Sequence, residues 1–597
     1  MKSMLDWLDS RTGYRGLLSE TLYERIPGGA RWRYVWGSTL TFALGVQFLT
    51  GLILWAAYSA NAQGAWESVY YIQYEMWGGW LLRGIHHYMA QVTVVLLLLH
   101  LMQVVIDGAY RAPREVNFWF GLGLLGLVLA LSLTGYLLPW DQKGYWATKV
   151  ATSIAAITPV VGPQVQKLMI GGPEYGHLTL TRFFALHAGI IPAAIVLLIV
   201  GHIYLFRRHG ITVKDPDHAP ETTFWPDQIF RDAVAMLAVM ATVLILIFAM
   251  GGAHLGAPAS PTEPYAAARP EWYFMFLFQW LKYFPAGWEV VGAMIIPGMI
   301  VTVVALMPIL GNWKLGHRFN LGLMASLIMG VGLLTFLAYA QDGSDEDFLM
   351  AKEQAEQEAH RVQELASAPT GIPPTGALEM LRNDPLTQGP KLFSSNCASC
   401  HTYNGHDGLG QPPAEDPSAA DLHGFGSREW VAGLFDPERV NTPEYFGATD
   451  FRNGEMVRFV QRGIPNAWTD EQRAELEYVM DWLSAEANLS RQQDMEQAEA
   501  ARIERGRDAV MSGVVNCTDC HVINGIGESE GPVLTGWASR EWMLAMLHNP
   551  AHPTLYGEDN DRMPAFGADE ILTERDMGMI VDWIREDWYR ATESQDQ

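Results

Sequence analysis

The chain has 597 residues, enough for about four structural units at roughly 150 residues each, so a single small domain is excluded. Its formal charge of −25 is unevenly placed: 21 Lys and Arg stand against 18 Asp and Glu up to residue 340, and 19 against 47 beyond it, giving +3 and −28. No basic face large enough to neutralise phosphates is available, which rules against nucleic acid as a partner, and the near-zero mean hydropathy averages an apolar half with an acidic, soluble one.

Residues 1–33 are rich in Arg but lack the short apolar core and cleavage site of a signal peptide, so the first apolar run is expected to serve as the first membrane signal, with nothing removed. Seven uncharged, mostly apolar runs follow, near 34–57, 84–106, 116–140, 183–206, 233–251, 290–313 and 319–341. Each exceeds the roughly 18 residues that mark a membrane-spanning helix. Fourteen Lys and Arg, Lys214 among them, lie in the N-terminal tail and the second, fourth and sixth connections. Six lie in the other three, with Arg83 counted with the run it borders. The excess of positive charge stays inside, so the N-terminus is expected in the cytoplasm and everything past residue 341 on the outer (periplasmic) face of a bacterial inner membrane.

Ionisable groups inside spans are costly and therefore point to function. The second run holds His86, His87 and His100, and the fourth holds His187 and His202. His86 and His100 are 14 residues apart, His187 and His202 are 15, or about 3.9 and 4.2 turns, so each pair shares one face of its helix. At about 1.5 Å per residue the two levels lie about 21–22 Å apart, a large part of a ~30 Å hydrocarbon core. One histidine from each helix at each level would give bis-histidine ligation of two b-type haems, His86 with His187 on the outer side and His100 with His202 on the inner. The alternative is four histidines satisfied by hydrogen bonds between helices, and that reading is preferred for His87, which faces away. Gly37 and Gly51 in the first run and Gly121 and Gly135 in the third repeat the 14-residue interval, removing side chains where a macrocycle could approach the backbone.

Beyond residue 341 the pattern becomes charged and helical, then meets a Pro/Gly-rich stretch at Gly371-Ile372-Pro373-Pro374-Thr375-Gly376, so 342–384 reads as a linker. All four cysteines follow, as Cys397-Ala398-Ser399-Cys400-His401 and Cys517-Thr518-Asp519-Cys520-His521. Cys-x-x-Cys-His is the attachment signal for c-type haem, and here it occurs twice. The alternatives are a thioredoxin-like pair, for which no βαβ pattern is present, or half of a zinc site, for which four ligands cannot be assembled. Ser427-Arg428-Glu429-Trp430 and Ser539-Arg540-Glu541-Trp542 follow their motifs at similar distances, marking an internal duplication. A long polar helix, roughly Glu471 to Met511, is expected to close the first unit and lead into the second.

The membrane half resembles cytochrome b of the cytochrome bc family, the quinol:cytochrome c oxidoreductases. The matching residues are the two histidine pairs, Leu133-Thr134-Gly135-Tyr136-Leu137-Leu138-Pro139-Trp140-Asp141 after the third run, and Pro270-Glu271-Trp272-Tyr273 between the fifth and sixth. The longer interval in the fourth run, the Gly79-to-His86 segment and seven spans are closer to the chloroplast and cyanobacterial branch. That branch attaches a further haem through a Cys at the position of Val35, which is absent here. The two Cys-x-x-Cys-His units resemble class I cytochromes c. The implied fold is all-α: a seven-span transmembrane bundle (1–215 with four spans, 216–341 with three) followed by the linker and two small α-helical cytochrome c domains, 385–490 and 491–597.

By that resemblance, Pro270, Glu271 and Tyr273 form an outer quinol-oxidation site, with Glu271 the proton acceptor and Tyr145 a further lining residue. An apolar pocket favours the protonated form of a carboxyl, which suits it to take a proton from quinol. Asp232, with Arg207 or Arg231 nearby, is implied at an inner quinone site. Each c haem takes a methionine downstream of its own histidine: Met456 for His401, and Met563, in Asp561-Arg562-Met563-Pro564, for His521. Two non-covalent haems b, two covalent haems c and quinol are the implied cofactors and substrate. One electron would pass to a Rieske iron–sulfur protein and the c haems, the other through the b haems to the inner quinone, with proton translocation. No Cys remain for a Rieske cluster, so that protein must be a separate partner, alongside an outer-face acceptor (cytochrome c, an oxidase or a reaction centre) and a dimeric, multisubunit complex. A tetrahaem electron conduit or anchor for another redox enzyme is the alternative, and a plain conduit needs no Pro-Glu-Trp-Tyr pocket.

Overall fold

The structure is a computed structural model and describes residues 2–213, 221–560 and 562–591. Lys214, the expected boundary at 215/216 and Asp561 lie outside the described residues. The chain forms two compact units, one of residues up to His360 together with Pro374–Leu378, the other of Arg361–Pro373 together with the residues from Glu379 onward.

The first unit is a helical bundle. Among the described residues six helices are long and apolar enough to cross a membrane: α1 (Trp32–Trp55), α2 (Gly79–Asp107), α3 (Glu115–Tyr136), then, after α4 (Gln142–Ala156), α5 (His177–His209), α6 (Phe224–Met250) and, beyond a shorter apolar helix α7 (Val291–Ala305), α8 (Gly316–Asp342). The sixth expected span, 290–313, is therefore not one continuous helix. Pro308 has no N–H to donate to the carbonyl one turn back, so the chain breaks after Ala305 and resumes as the short turn Met307–Leu310. The helix α2 begins before the charge-bounded run: Arg83 lies inside it, and its guanidinium donates to Gln73 Oε1 (2.8 Å) and to the carbonyls of Ala253 (2.7 Å) and His254 (2.8 Å). Such pairing with backbone carbonyls is how a charge is tolerated in a span.

Helix α1 packs on α2, α3 on α5, and α6 against both α1 and α2. Helix α5 carries a π-type turn at Leu186–Ile190, which holds His187. A π turn absorbs one extra residue, so the 15-residue interval in α5 matches the 14-residue interval in α2. A small antiparallel pair joins the N-terminal segment to the start of α6: β1 (Arg25–Pro27) runs against β2 (Glu221–Thr223), with Arg25 opposite Thr223 and Ile26 opposite Thr222.

Among the helices of the second unit, two sets of three correspond, with shorter helical turns between them: α9 (Pro385–Asn396), α10 (Arg428–Leu434) and α11 (Asp470–Glu486), then α12 (Ala500–Met511), α13 (Arg540–His548) and α14 (Glu574–Ile584). Ser427 and Ser539 cap α10 and α13 in the same way, each hydroxyl accepting from the N–H of the Trp three residues on (3.2 Å in both), so the duplication is visible in the structure. The expected polar helix 471–511 is broken. Asn488 adopts a left-handed conformation (φ 48°), which Asn tolerates, and the chain turns back so that α12 packs on α11.

Packing does not follow the expected division at 490/491. Helix α9, before the first Cys motif, packs against α14 at the far end of the chain, while α12, before the second motif, packs against α11. Gly389 and Gly506 make these crossings possible: a Cβ at Gly389 would run into Trp583, and one at Gly506 into the carbonyl of Tyr478. One hydrophobic cluster joins Cys397, Phe393 and Leu422 to Met543, Phe566, Ile580 and Met563. The other joins Trp430, Val457, Val479 and Met456 to Val510, Cys517, Ile523 and Leu534. Sequence order shows which segments are tethered, but equivalent helices in two repeats offer equivalent surfaces, and exchanging them buries the same contacts.

Candidate functional site

Within the bundle the four span histidines meet as two facing pairs. The ring centroids of His86 and His187 are 6.2 Å apart with planes at 74°, and those of His100 and His202 are 6.4 Å apart at 82°. Two imidazole–metal bonds of about 2 Å each, added to the two ring radii, fill such a separation. Three of the four rings are also fixed in the right sense, those of His86, His187 and His202. Thr50 donates its hydroxyl to the Val46 carbonyl (2.7 Å), so the oxygen accepts from His86 Nδ1–H (2.9 Å). His187 Nδ1 faces the Leu131 carbonyl (3.0 Å) and Thr134 Oγ1 (3.3 Å), and His202 Nδ1 faces the Asn117 carbonyl (3.1 Å). With the proton held on Nδ1, Nε2 carries the lone pair a metal needs.

The four glycines face these rings. A Cβ would lie 3.1 Å from His86 Cε1 at Gly51, 3.4 Å from His202 Cε1 at Gly121, 2.5 Å from His187 Cε1 at Gly135 and 3.8 Å from His100 Cε1 at Gly37. At Gly51 and Gly135 the missing side chain admits the imidazole itself, whereas at Gly37 and Gly121 a Cβ would make only an ordinary contact. The sequence held a further sign of this: Thr50-Gly51 and Thr134-Gly135 pair the ring's hydrogen-bond acceptor with its clearance on both helices that face the His86–His187 pair.

The Pro270–Tyr273 segment is stitched to the residues after α3. Asp141 caps α4 through Gly144 N (2.8 Å), Gln142 N donates to the Ala257 carbonyl (2.9 Å), and the Tyr136 hydroxyl donates to the Arg269 carbonyl (3.2 Å). Arg269 in turn grips Asp342 at the end of α8 with two bonds of 2.8 Å, holding Pro270 and Glu271 from behind. The largely buried Glu271 carboxylate accepts from Gln91 Nε2 (3.1 Å) and lies 3.6 Å from Lys143 Nζ. Gln91 also accepts from Trp272 Nε1 (2.6 Å), and the Tyr273 ring packs on Trp272 and Phe274. Lys143 and Gln91 were not foreseen from the sequence, because their partner is distant along the chain. Tyr145, two residues past Lys143, turns instead into an aromatic cluster with Trp140, Trp146 and Tyr175.

On the opposite side of the bundle Asp232 is buried and accepts from Gln228 Nε2 (2.8 Å), whose other end accepts from Arg31 N (2.9 Å). The arginines expected beside it point elsewhere: Arg207 pairs with Glu24 (2.9 Å), and Arg231 donates to the Asp227 carbonyl (2.7 Å).

In the second unit both Cys-x-x-Cys-His motifs, Met456 and Met563 line one cavity of about 1710 Å³. Small-molecule pockets run to about 300–1,000 Å³, so this space suits two large groups. Burial pushes the Cys397 and Cys517 thiols up to about 12, the opposite of the lowered thiol a thioredoxin-like pair uses. His401 Nδ1 faces the Ala420 carbonyl (2.7 Å) and His521 Nδ1 the Pro532 carbonyl (2.8 Å), again leaving Nε2 for a ligand. Burial also holds both imidazoles below their ordinary range, keeping them neutral, the form that binds metal. The cavity and donor set fit covalently attached haem. Met456 sits in the cluster of Cys517 and Met563 in that of Cys397, the reverse of the expected assignment.

A family described as cytochrome b(N-terminal)/b6/petB matches residues 91–259. The cytochrome b subunit of a menaquinol:cytochrome c reductase from Geobacillus thermodenitrificans is 37% identical over 220 residues, 36% of this chain and 98% of that protein. This chain belongs to the cytochrome b family. Cytochrome b6 of Synechococcus elongatus is 36% identical over 213 residues (36% of this chain, 99% of that one), and cytochrome b of Rhodobacter capsulatus 31% over 301 (48% and 68%). A cytochrome c family matches residues 386–484, so this cytochrome b is fused to cytochrome c at its C-terminal side. The protein is an integral membrane, haem-based electron-transport subunit.

Proposed function

We propose that this cytochrome b–cytochrome c fusion is the quinol-oxidising subunit of a bc-type complex with two haems b and two haems c. It would oxidise quinol at the outer face, divide the electrons between a separate Rieske protein with the c haems and the b haems, and couple this to proton translocation. The observation that carries the reading is the Glu271 carboxylate held between Gln91 and Lys143 in the same unit as two facing histidine pairs. When bound, haem would supply one-electron redox chemistry at each histidine pair. The residues of the chain do the rest. Glu271 accepts the quinol proton within hydrogen-bond reach, Gln91 and Lys143 orient its carboxylate, and the Trp272 and Tyr273 rings shape the apolar wall of the pocket. Asp232, backed by Gln228, offers a buried proton donor at the inner quinone site. The acceptor beyond the c haems is a basic outer-face redox protein, and the membrane is the bacterial inner one with the N-terminus inside. Quinol turnover in the purified complex tests the reading. Glu271→Gln should slow quinol oxidation by about 10²-fold or more with every haem spectrum intact, whereas normal turnover would reduce the protein to an electron conduit.

A further inference from the structure

The two Cys-x-x-Cys-His motifs and the two methionines share one cavity, so proximity to the cavity does not decide which methionine serves which histidine. The packing of the helices does. The segment that enters the first motif, α9, crosses α14 at Gly389, and α14 is the helix that follows Met563. The segment that enters the second motif, α12, crosses α11 at Gly506, and α11 follows Met456. Side chains agree with the helices. Cys397 and Leu422 share a cluster with Met563 and Phe566, whereas Cys517 and Leu534 share one with Met456 and Val457.

The exchange has a visible crossing point. Gly424 and Gly426 in the first repeat (φ 68° and 80°) and Gly536 and Ala538 in the second (φ 63° and 59°) take left-handed conformations at matching places, just ahead of α10 and α13. The two strands of chain touch there, with the Phe425 and Trp537 rings 5.2 Å apart and Trp430 and Trp537 5.9 Å apart. A Cβ on Gly426 would meet that of Ala538 at 2.9 Å, so Gly426 lets the strands cross at close range.

We propose that the two c-type sites exchange halves: the haem attached at Cys397 and Cys400 is held by His401 and Met563, and the haem attached at Cys517 and Cys520 by His521 and Met456. The inference rests on the covalent-haem reading of the two motifs. It cuts across the continuous cytochrome c match at 386–484, because the second part of that stretch, from α10 to α11, serves the second motif. Each site is then built from two stretches of chain that are not neighbours in sequence.

The full-length holoprotein tests it. Cys400→Ala leaves one thioether at Cys397 and one vinyl group unsaturated, which shifts the α-band of that haem and marks it without removing it. A redox titration followed at the marked band should then show a lowered midpoint with Met563→His, since sulfur ligation raises the potential and imidazole does not. Met456→His should leave the marked band unmoved and lower the unmarked c haem. Cys520→Ala supplies the reciprocal arm, with Met456→His moving the marked band, and decides the matter alone should Cys400→Ala fail to retain haem. A marked band that follows the methionine of its own repeat, or neither methionine, overturns the exchange. A parent protein with no covalent haem at all overturns the underlying reading instead.

Discussion

Thr134 and Gly135 serve the His187 ring in different ways: the hydroxyl of one meets Nδ1, and the missing side chain of the other clears room for the imidazole. Gly135→Val should therefore displace His187 and lose one of two b haems while the c haems remain, read as a halved haem b to haem c ratio in a pyridine haemochrome assay. Thr50→Val should leave the His86 Nδ1–H without its acceptor and cost about 1–3 kcal/mol, seen as weaker retention of the haem proposed at the His86–His187 pair on mild denaturation. In the second unit burial alone would push the Asp421 carboxyl up. The N–H groups of Gly405, His423 and Asn404 and the Thr402 hydroxyl outweigh it and hold the carboxyl below its ordinary value. Its contribution is thus complete above the unfolded carboxylate range and is lost as pH falls through the depressed folded value. Asp421→Asn should flatten the acid limb of the thermal stability profile of the holoprotein. The histidine pairs were legible because a charge-capable ring in an apolar run is conspicuous. Lys143 was not, since a lysine in a connecting segment looks like any surface charge until its carboxylate partner is placed beside it.

Helices were legible as far as their periodicity was local. The π turn around His187 was encoded only as an interval one residue too long, and its meaning came from the facing 14-residue interval in α2. The sixth apolar run was read through Pro308 because hydropathy carries no record of missing hydrogen bonds. Residues 471–511 were read as one helix because Asn488 is a mild breaker on its own. The reversal there is enforced by the packing of α12 on α11, which sequence spacing does not show. That packing predicts a sharp asymmetry between neighbouring glycines. Gly506→Leu should force α12 away from Tyr478 and lower the stability of the c-type unit by about 1–3 kcal/mol, whereas Gly513→Leu, which meets open space but strains a left-handed backbone (φ 77°), should cost stability locally yet leave the crossing between α11 and α12 intact in hydrogen exchange.

Over the whole molecule the acidity is concentrated in the c-type unit, where 18 Lys and Arg stand against 40 Asp and Glu for a charge of −22, while the unit of spanning helices, which includes the acidic stretch 342–358, carries −3. An acidic redox surface of that size should draw in a basic acceptor, so the second-order rate of electron delivery should fall steeply as ionic strength rises through the range where the screening length shrinks to about 8 Å. A flat salt profile would detach the acidity from acceptor capture. The Cys motifs and the repeated Ser-Arg-Glu-Trp point to a duplication in the sequence, and the serine caps of α10 and α13 repeat with it. The interleaving of the repeats was not legible, because a consecutive arrangement satisfies the same pattern of apolar residues. That interleaving also sets a timetable. A chain synthesised from its N-terminus presents the Cys397 motif and α9 early, but the surface that covers α9 belongs to α14 and emerges last. The first site to receive its cofactor is thus among the last to be closed, and until residues 574–584 arrive it must be shielded by something other than its own fold.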